Sequence, residues 1–229
     1  LAVLYLIFNE GYSASAGDDL IRQELCAEAI RLGQILVKLM PDEPEALGLL
    51  SLMQLHDSRR NARTSAAGDT ILLEDQDRSR WDHETAHQAR QILEHALRMQ
   101  RPGSYQLQAA IAAVHSEART PEDTDWPQIV GIYDSLLRIH PSPVVALNRA
   151  VAVAMVTGPQ EGLELVDDIG RGGSLQRYLF FHSTRADLLR QLRRFQDARS
   201  AYRRALELCG NASEQRFLER RLTECAGEA

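Results

Sequence analysis

Almost no segment of this 229-residue sequence alternates apolar and polar residues with the β-branched enrichment a strand needs, so helix is the only regular structure its pattern supports. Cysteine is scarce. Cys26, Cys209 and Cys225 form an odd set without C-x-x-C spacing, which excludes a disulfide framework and a zinc knuckle and reads as buried thiols in a reducing cytoplasm. Long apolar runs are missing too: Leu1 to Phe8 falls far short of the roughly 20 residues that cross a bilayer, and no basic stretch precedes it as in a signal peptide. Positive charge is not in excess, since 26 basic against 32 acidic residues leave a formal −6, a field that repels a phosphate backbone. Neither nucleic acid nor a membrane is an expected partner. There is no G-x-G-x-x-G, P-loop or G-x-S-x-G turn, and Gly170, Gly172 and Gly173 read as a flexible turn with no strand before it. The acidic stretches 74–77 and 122–125 lack the glycine and terminal glutamate of a calcium loop and read as capping and solvated residues.

What is present is a soluble globular composition, 44% hydrophobic and 25% charged, enough for a sizeable core. Periodicity predicts helices at about 2–9, 18–40, 44–57, 83–100, 103–117, 127–140, 143–157, 160–169, 174–192, 195–209 and 212–225. Pro41, Pro44, Pro102, Pro127, Pro141, Pro143 and Pro159 fall at their ends or first turns, where a missing N–H costs little. Residues 58–80 break the rhythm as a long polar connection whose Ile71, Leu72 and Leu73 suggest docking onto the core. A second boundary is expected near 120, giving an N-terminal helical part over 1–120 and more regular hairpins over 121–229 within one continuous helical domain. The chain opens without Met and inside an apolar helical pattern, as expected of a domain excised from a longer one.

The hairpins look like degenerate tetratricopeptide units, which predicts an all-α, TPR-like right-handed array. In FQDARSAYRRALELCG, Ala198, Tyr202 and Ala205 share one helix face, the alanines letting backbones approach while Tyr202 fills the wider gap. Ala186 supplies the small residue of the preceding helix, and fainter copies run over 27–41 and 129–141.

One motif bears on catalysis. His83-Glu84-Thr85-Ala86-His87 matches H-E-x-x-H, which on a helix places two imidazoles on one face beside a glutamate base, as in zinc proteases. Against a zinc site, Asp82 caps a helix that starts there, so the histidines fall in an exposed first turn, and Arg90 and Leu93 stand where a third-ligand continuation needs glycine and histidine. No metal, cofactor or catalytic residue is therefore expected, with a metallohydrolase using His83, Glu84 and His87 kept as the alternative. The remaining histidines are scattered and receive no role. Trp81 and Trp126 each adjoin an aspartate at a helix start and serve either as aromatic staples or as partner anchors.

The phrases NEGYSAS, DLIRQELCAEAIRL, PEALGLLSLM, LLEDQDRSRWD, PGSYQLQAAIAAVHSEA, TDWPQIVGIYDSLL and SPVVALNRAVAVAM, in this order over nearly the whole chain, resemble the C-terminal tetratricopeptide-like extension of extracytoplasmic-function RNA polymerase sigma factors. The resemblance implies two further domains upstream that read the −10 and −35 promoter elements. It also implies that the extension regulates them through protein contacts, with RNA polymerase or another protein as a further partner. Partner-contact candidates are Asp77, Arg78 and Trp81 around the connection, and Tyr105, Gln108, Trp126, Asn148 and Arg149 in turns. A ligand-sensing helical domain is a further alternative, for which the sequence offers no pocket chemistry.

Overall fold

The computed structural model describes residues 1–13, 22–66 and 68–227, and among these lie eleven α-helices and no β-strand. The protein is all-α. It divides into two compact units, Leu1–Asp125 and Trp126–Ala229.

In the first unit, α1 (Ala2–Tyr12), α2 (Gln23–Leu39), α4 (His83–Arg98) and α5 (Ser104–Glu117) all pack on α3 (Pro44–Asp57). The expected start of the second helix, at 18–21, lies outside the described residues. PEALGLLSLMQLHD has no polar face, and a helix apolar all round must be enclosed. Leu47, Leu49, Leu50, Leu52, Met53 and Leu55 are accordingly buried on every side of α3. Its one central hydroxyl, Ser51, donates to the carbonyl of Ala89 at 2.8 Å, so that hydroxyl is not stranded.

The α3–α5 contact is close. Glu45, in the first turn of α3, accepts from the backbone N–H groups of Tyr105 (3.0 Å) and Gln106 (3.1 Å) and from Gln106 Nε2 (3.2 Å). One carboxylate thus satisfies orphan donors at another helix's N-terminus, where the dipole also favours negative charge. Gly48 makes the approach sterically feasible: a Cβ there would stand 2.7 Å from both Gln106 N and Gln106 Cγ.

The second unit runs α6 (Trp126–Ile139), α7 (Pro143–Thr157), α8 (Pro159–Arg171), α9 (Leu179–Gln191), α10 (Phe195–Leu208) and α11 (Ala212–Gly227), each helix packing on its neighbour in sequence. Ala186, Ala198, Tyr202 and Ala205 are fully buried in one core with Leu147, Val166, Leu189 and Leu218. The ninth helix starts at Leu179, five residues later than periodicity suggests. Residues 174–178 are a turn instead, held by buried Leu175, by Gln176 Nε2 donating to Gly170 O (3.1 Å) and by His182 Nε2 donating to Gln176 O (3.0 Å).

Two glycine substitutions separate these effects. Gly48→Ala forces α5 away and is expected to cost about 1–3 kcal/mol, whereas Gly131→Ala, whose new methyl meets nothing within 4 Å, removes helix-interior glycine and should gain about 0.5–1 kcal/mol. Urea unfolding of both variants checks the opposed signs.

Candidate functional site

The connection between α3 and α4 is a closed loop. Its ends meet where the Asp82 N–H donates to the carbonyl of Ser58 at 2.8 Å. Between them run three single 3-10 turns, Arg60–Ala62, Leu73–Asp75 and Arg78–Arg80, and an antiparallel bridge of Thr64 with Thr70. Ile71, Leu72 and Leu73 are half-buried, so arginine does more than the leucine pair to hold this loop.

Arg78 reaches back to the end of α5, its Nη1 donating to the carbonyls of His115 (2.8 Å) and Ala118 (2.6 Å). A cation on the last carbonyls of a helix satisfies orphan acceptors and complements the dipole. The same guanidinium lies 4.7 Å from the centre of the Trp81 ring, and that of Arg59 lies 5.8 Å from it. Trp81 is 5% exposed and its indole Nε1 has no acceptor among the described residues, while Arg59 is 9% exposed. Arg59 Nη2 donates to Tyr12 Oη and to His56 Nδ1, both at 3.0 Å. Arg63 stacks on Tyr12, 3.5 Å from its ring centre, and donates to the Tyr12 carbonyl. Three arginines thereby tie α1, α5 and the connection together.

The cost falls on two histidines. Since guanidinium can only donate, Nδ1 of His56 accepts and its ring is neutral. Desolvation first, then the nearby Arg59 and Arg63 cations, hold His56 well below its ordinary value, and desolvation with Arg59 and Arg78 pushes His115 down to about 4.

The other contact candidates are dispersed. Asp77 caps its short turn, accepting from Ser79 N (3.0 Å) and Ser79 Oγ (2.6 Å). Tyr105 and Gln108 meet Tyr5 of α1, through an edge-on ring contact at 5.5 Å and a hydrogen bond from Tyr5 Oη at 3.3 Å. Trp126, Asn148 and Arg149 belong to the second unit. Trp126 opens α6 half-buried, Asn148 is exposed on α7, and Arg149 Nε donates to Asp134 at 2.6 Å. Tyr105, Gln108, Trp126, Asn148 and Arg149 all lie within helices and not in turns, because the apolar periodicity of each helix runs through them.

Asp82 caps α4, its Oδ1 accepting from Thr85 N at 2.9 Å. His83 Nε2 lies 3.0 Å from the carbonyl of Arg78, His87 Nε2 lies 3.0 Å from Gln91 Nε2, and Glu84 accepts from Gln88 at 2.7 Å. Among the described residues no third His, Cys, Asp or Glu joins them in a metal-sized group. Cys26 and Cys225 are buried and Cys209 is half-buried, all as free thiols. No helix among the described residues is long and apolar enough to cross a membrane.

Two sets of residues escape a reading of the sequence. Tyr12, His56, Arg59, Arg63 and His115 come together from three separate stretches, and the only local signal is the arginine run just after an apolar helix. The second set is a bare apolar face on α1: Val3 is 69% exposed and Leu6 66%, one turn apart, with Leu1 beside them. Ile35, Leu39 and Met40 are exposed at the end of α2.

Residues 1–97 match the model of a family of unknown function, DUF6596. Over 226 residues, 99% of the chain, the sequence is 46% identical to an uncharacterized protein of Rhizobium meliloti (strain 1021), of which the match covers 53%. The chain thus spans about half the length of that curated relative.

Both histidines bind protons less readily in the folded protein than in the unfolded chain, so acid favours unfolding. Stability from this source is complete above the ordinary histidine value of 6.5 and is lost as pH falls from there towards about 4. Urea midpoints measured across that range should drop for the parent protein, and drop less steeply for His115→Gln.

Proposed function

We propose that this chain is a regulatory protein-interaction module of an extracytoplasmic-function RNA polymerase sigma factor. It works in the cytoplasm without catalysis of its own, by contacting sigma core domains of the same protein, RNA polymerase or another protein. Its hairpins form a degenerate tetratricopeptide-like array, in which each repeat contacts its neighbours and leaves surface free for a partner.

The observation that carries the proposal is the apolar face of α1. Val3 and Leu6 stand about two-thirds exposed on a helix whose opposite side, through Phe8, is fully buried. Exposed apolar side chains at helical spacing are what a docking helix face presents. Three further facts support the reading. The phrases from NEGYSAS to SPVVALNRAVAVAM resemble the sigma-factor extension, and the Rhizobium relative is long enough to hold further domains beyond the matched half. The helix packing is sequential in the second unit, as a repeat array requires.

The test is a titration of this chain against the separately expressed −10- and −35-reading domains of the sigma factor, followed by tryptophan fluorescence or calorimetry. Saturable binding that Val3→Glu with Leu6→Glu weakens by about tenfold or more is expected, the loss of a buried apolar contact being worth at least that much. Absence of binding at high concentration, with both proteins folded, would sink the proposal.

A further inference from the structure

Within the second unit a groove of about 840 Å³ runs between the α9–α10 turn and the last turns of α11. Arg190, Arg193 and Arg220 line it together with Phe195, Glu224 and Cys225. Its charges are unequally matched. Arg190 is paired with Asp187 at 2.6 Å, and Glu224 with Arg221 at 3.0 Å, so neither contributes free charge. Arg193 and Arg220 make no ion pair among the described residues; Arg220 rests 5.7 Å from the Phe217 ring centre. Two guanidiniums without an acidic partner among the described residues therefore line the groove with Phe195.

The backbone at Arg193 is the second observation. This residue stands at φ 60, in the left-handed region, at the end of α9. Arg194 N donates to Leu189 O and Arg193 N to Arg190 O, both at 2.9 Å, so the turn closes the helix in the way that normally recruits glycine. A side chain with a Cβ is strained there. Gln100 ends α4 in the same conformation, so what sets Arg193 apart is that its cation stands beside a groove with no carboxylate partner among the described residues.

We infer that this groove docks an acidic peptide segment of a partner protein, its carboxylates on Arg193 and Arg220 and an apolar side chain over Phe195. A single phosphate or carboxylate would fill a small part of 840 Å³, whereas neighbouring acidic and apolar side chains of one peptide match both the cations and the ring. Arginine suits this role because its planar fork binds carboxylate through two hydrogen bonds. The α1 face belongs to the first unit and this groove to the second, so either binding reading stands if the other fails.

The probe is a short fluorescein-labelled peptide alternating glutamate and leucine, titrated by anisotropy against the whole chain. Arg193→Gly removes the cation while relieving the backbone, so its unfolding midpoint should rise as its affinity falls. Combined with Arg220→Gln, the loss should reach about tenfold or more, as expected for two carboxylate contacts. Arg203→Gln, on an exposed part of α10 away from the groove, should leave binding within about twofold of the parent. Unchanged affinity in the double variant, or equal loss in Arg203→Gln, overturns the proposal. So does citrate binding as tightly as the peptide with the same dependence on Arg193 and Arg220, because the groove would then be a small-anion site.

Discussion

The first unit depends on one contact, the seating of α5 on α3 through Glu45 and Gly48. A helix without a polar face cannot end in water on any side, so α3 recruits four others around it. Apolar burial alone would let those helices slide, because it is non-directional. The Glu45 carboxylate removes that freedom by holding the first N–H groups of α5 at 3.0 and 3.1 Å, with Gln106 bonded through its side chain to both Glu45 and the carbonyl of Arg101. Gly48 then sets the depth. Gln106, completely buried, occupies the space a methyl group would need.

From that frame follows the arrangement of the connection. Once α5 is fixed, its C-terminal carbonyls at His115 and Ala118 present a concentrated acceptor site, and Arg78 takes it. Burying guanidinium is costly unless its donors are used. Here Arg78 Nη1 uses two carbonyls, though its Nε has no acceptor among the described residues, and Arg59 uses a phenol and an imidazole, while both lean on the Trp81 ring, which adds cation–π attraction where water is scarce. The price is that His56 and His115 remain neutral near cations. At neutral pH this costs no repulsion, because an uncharged imidazole is not repelled by guanidinium and His56 serves as its acceptor.

Helix positions were legible because their causes are local. Pro44, Pro143 and Pro159 fix first turns, Asp82 caps α4, and the Ala198, Tyr202, Ala205 stripe repeats at helical spacing over a single core. The late start of α9 was not legible, since Leu175 leaves helical geometry to fill a core built from distant residues. The arginine cluster was hidden for the same reason: Arg78 bonds to residues 37 and 40 positions away, and Arg63 to one 51 away. Asp77, Arg78 and Trp81 attract notice as a compact polar and aromatic run, yet Arg78 and Trp81 are engaged within the fold. The exposed apolar face of α1 is equally invisible in sequence, because Val3 and Leu6 look like core residues until the buried side of the helix is known to be the one bearing Phe8.

The cationic chemistry of both units is almost wholly that of arginine, Lys38 being the only lysine. A lysine ammonium is a strongly hydrated point charge, while guanidinium can cap, stack and pair at once with less loss of hydration. In the first unit this permits arginines near the interior. In the second it supports short-range pairs along the helix surfaces, Arg190 with Asp187, Arg194 with Asp197 and Arg221 with Glu224. Such exposed pairs contribute little stability each, but they occupy Asp187, Asp197 and Glu224. Arg193 and Arg220 are left without an acidic partner among the described residues, both lining the groove with Phe195, and Arg193 stands in the left-handed region. Local folding energetics favour glycine there, as they do at Gln100 where α4 ends in the same conformation, so the unpaired guanidinium and not the strain is what marks Arg193.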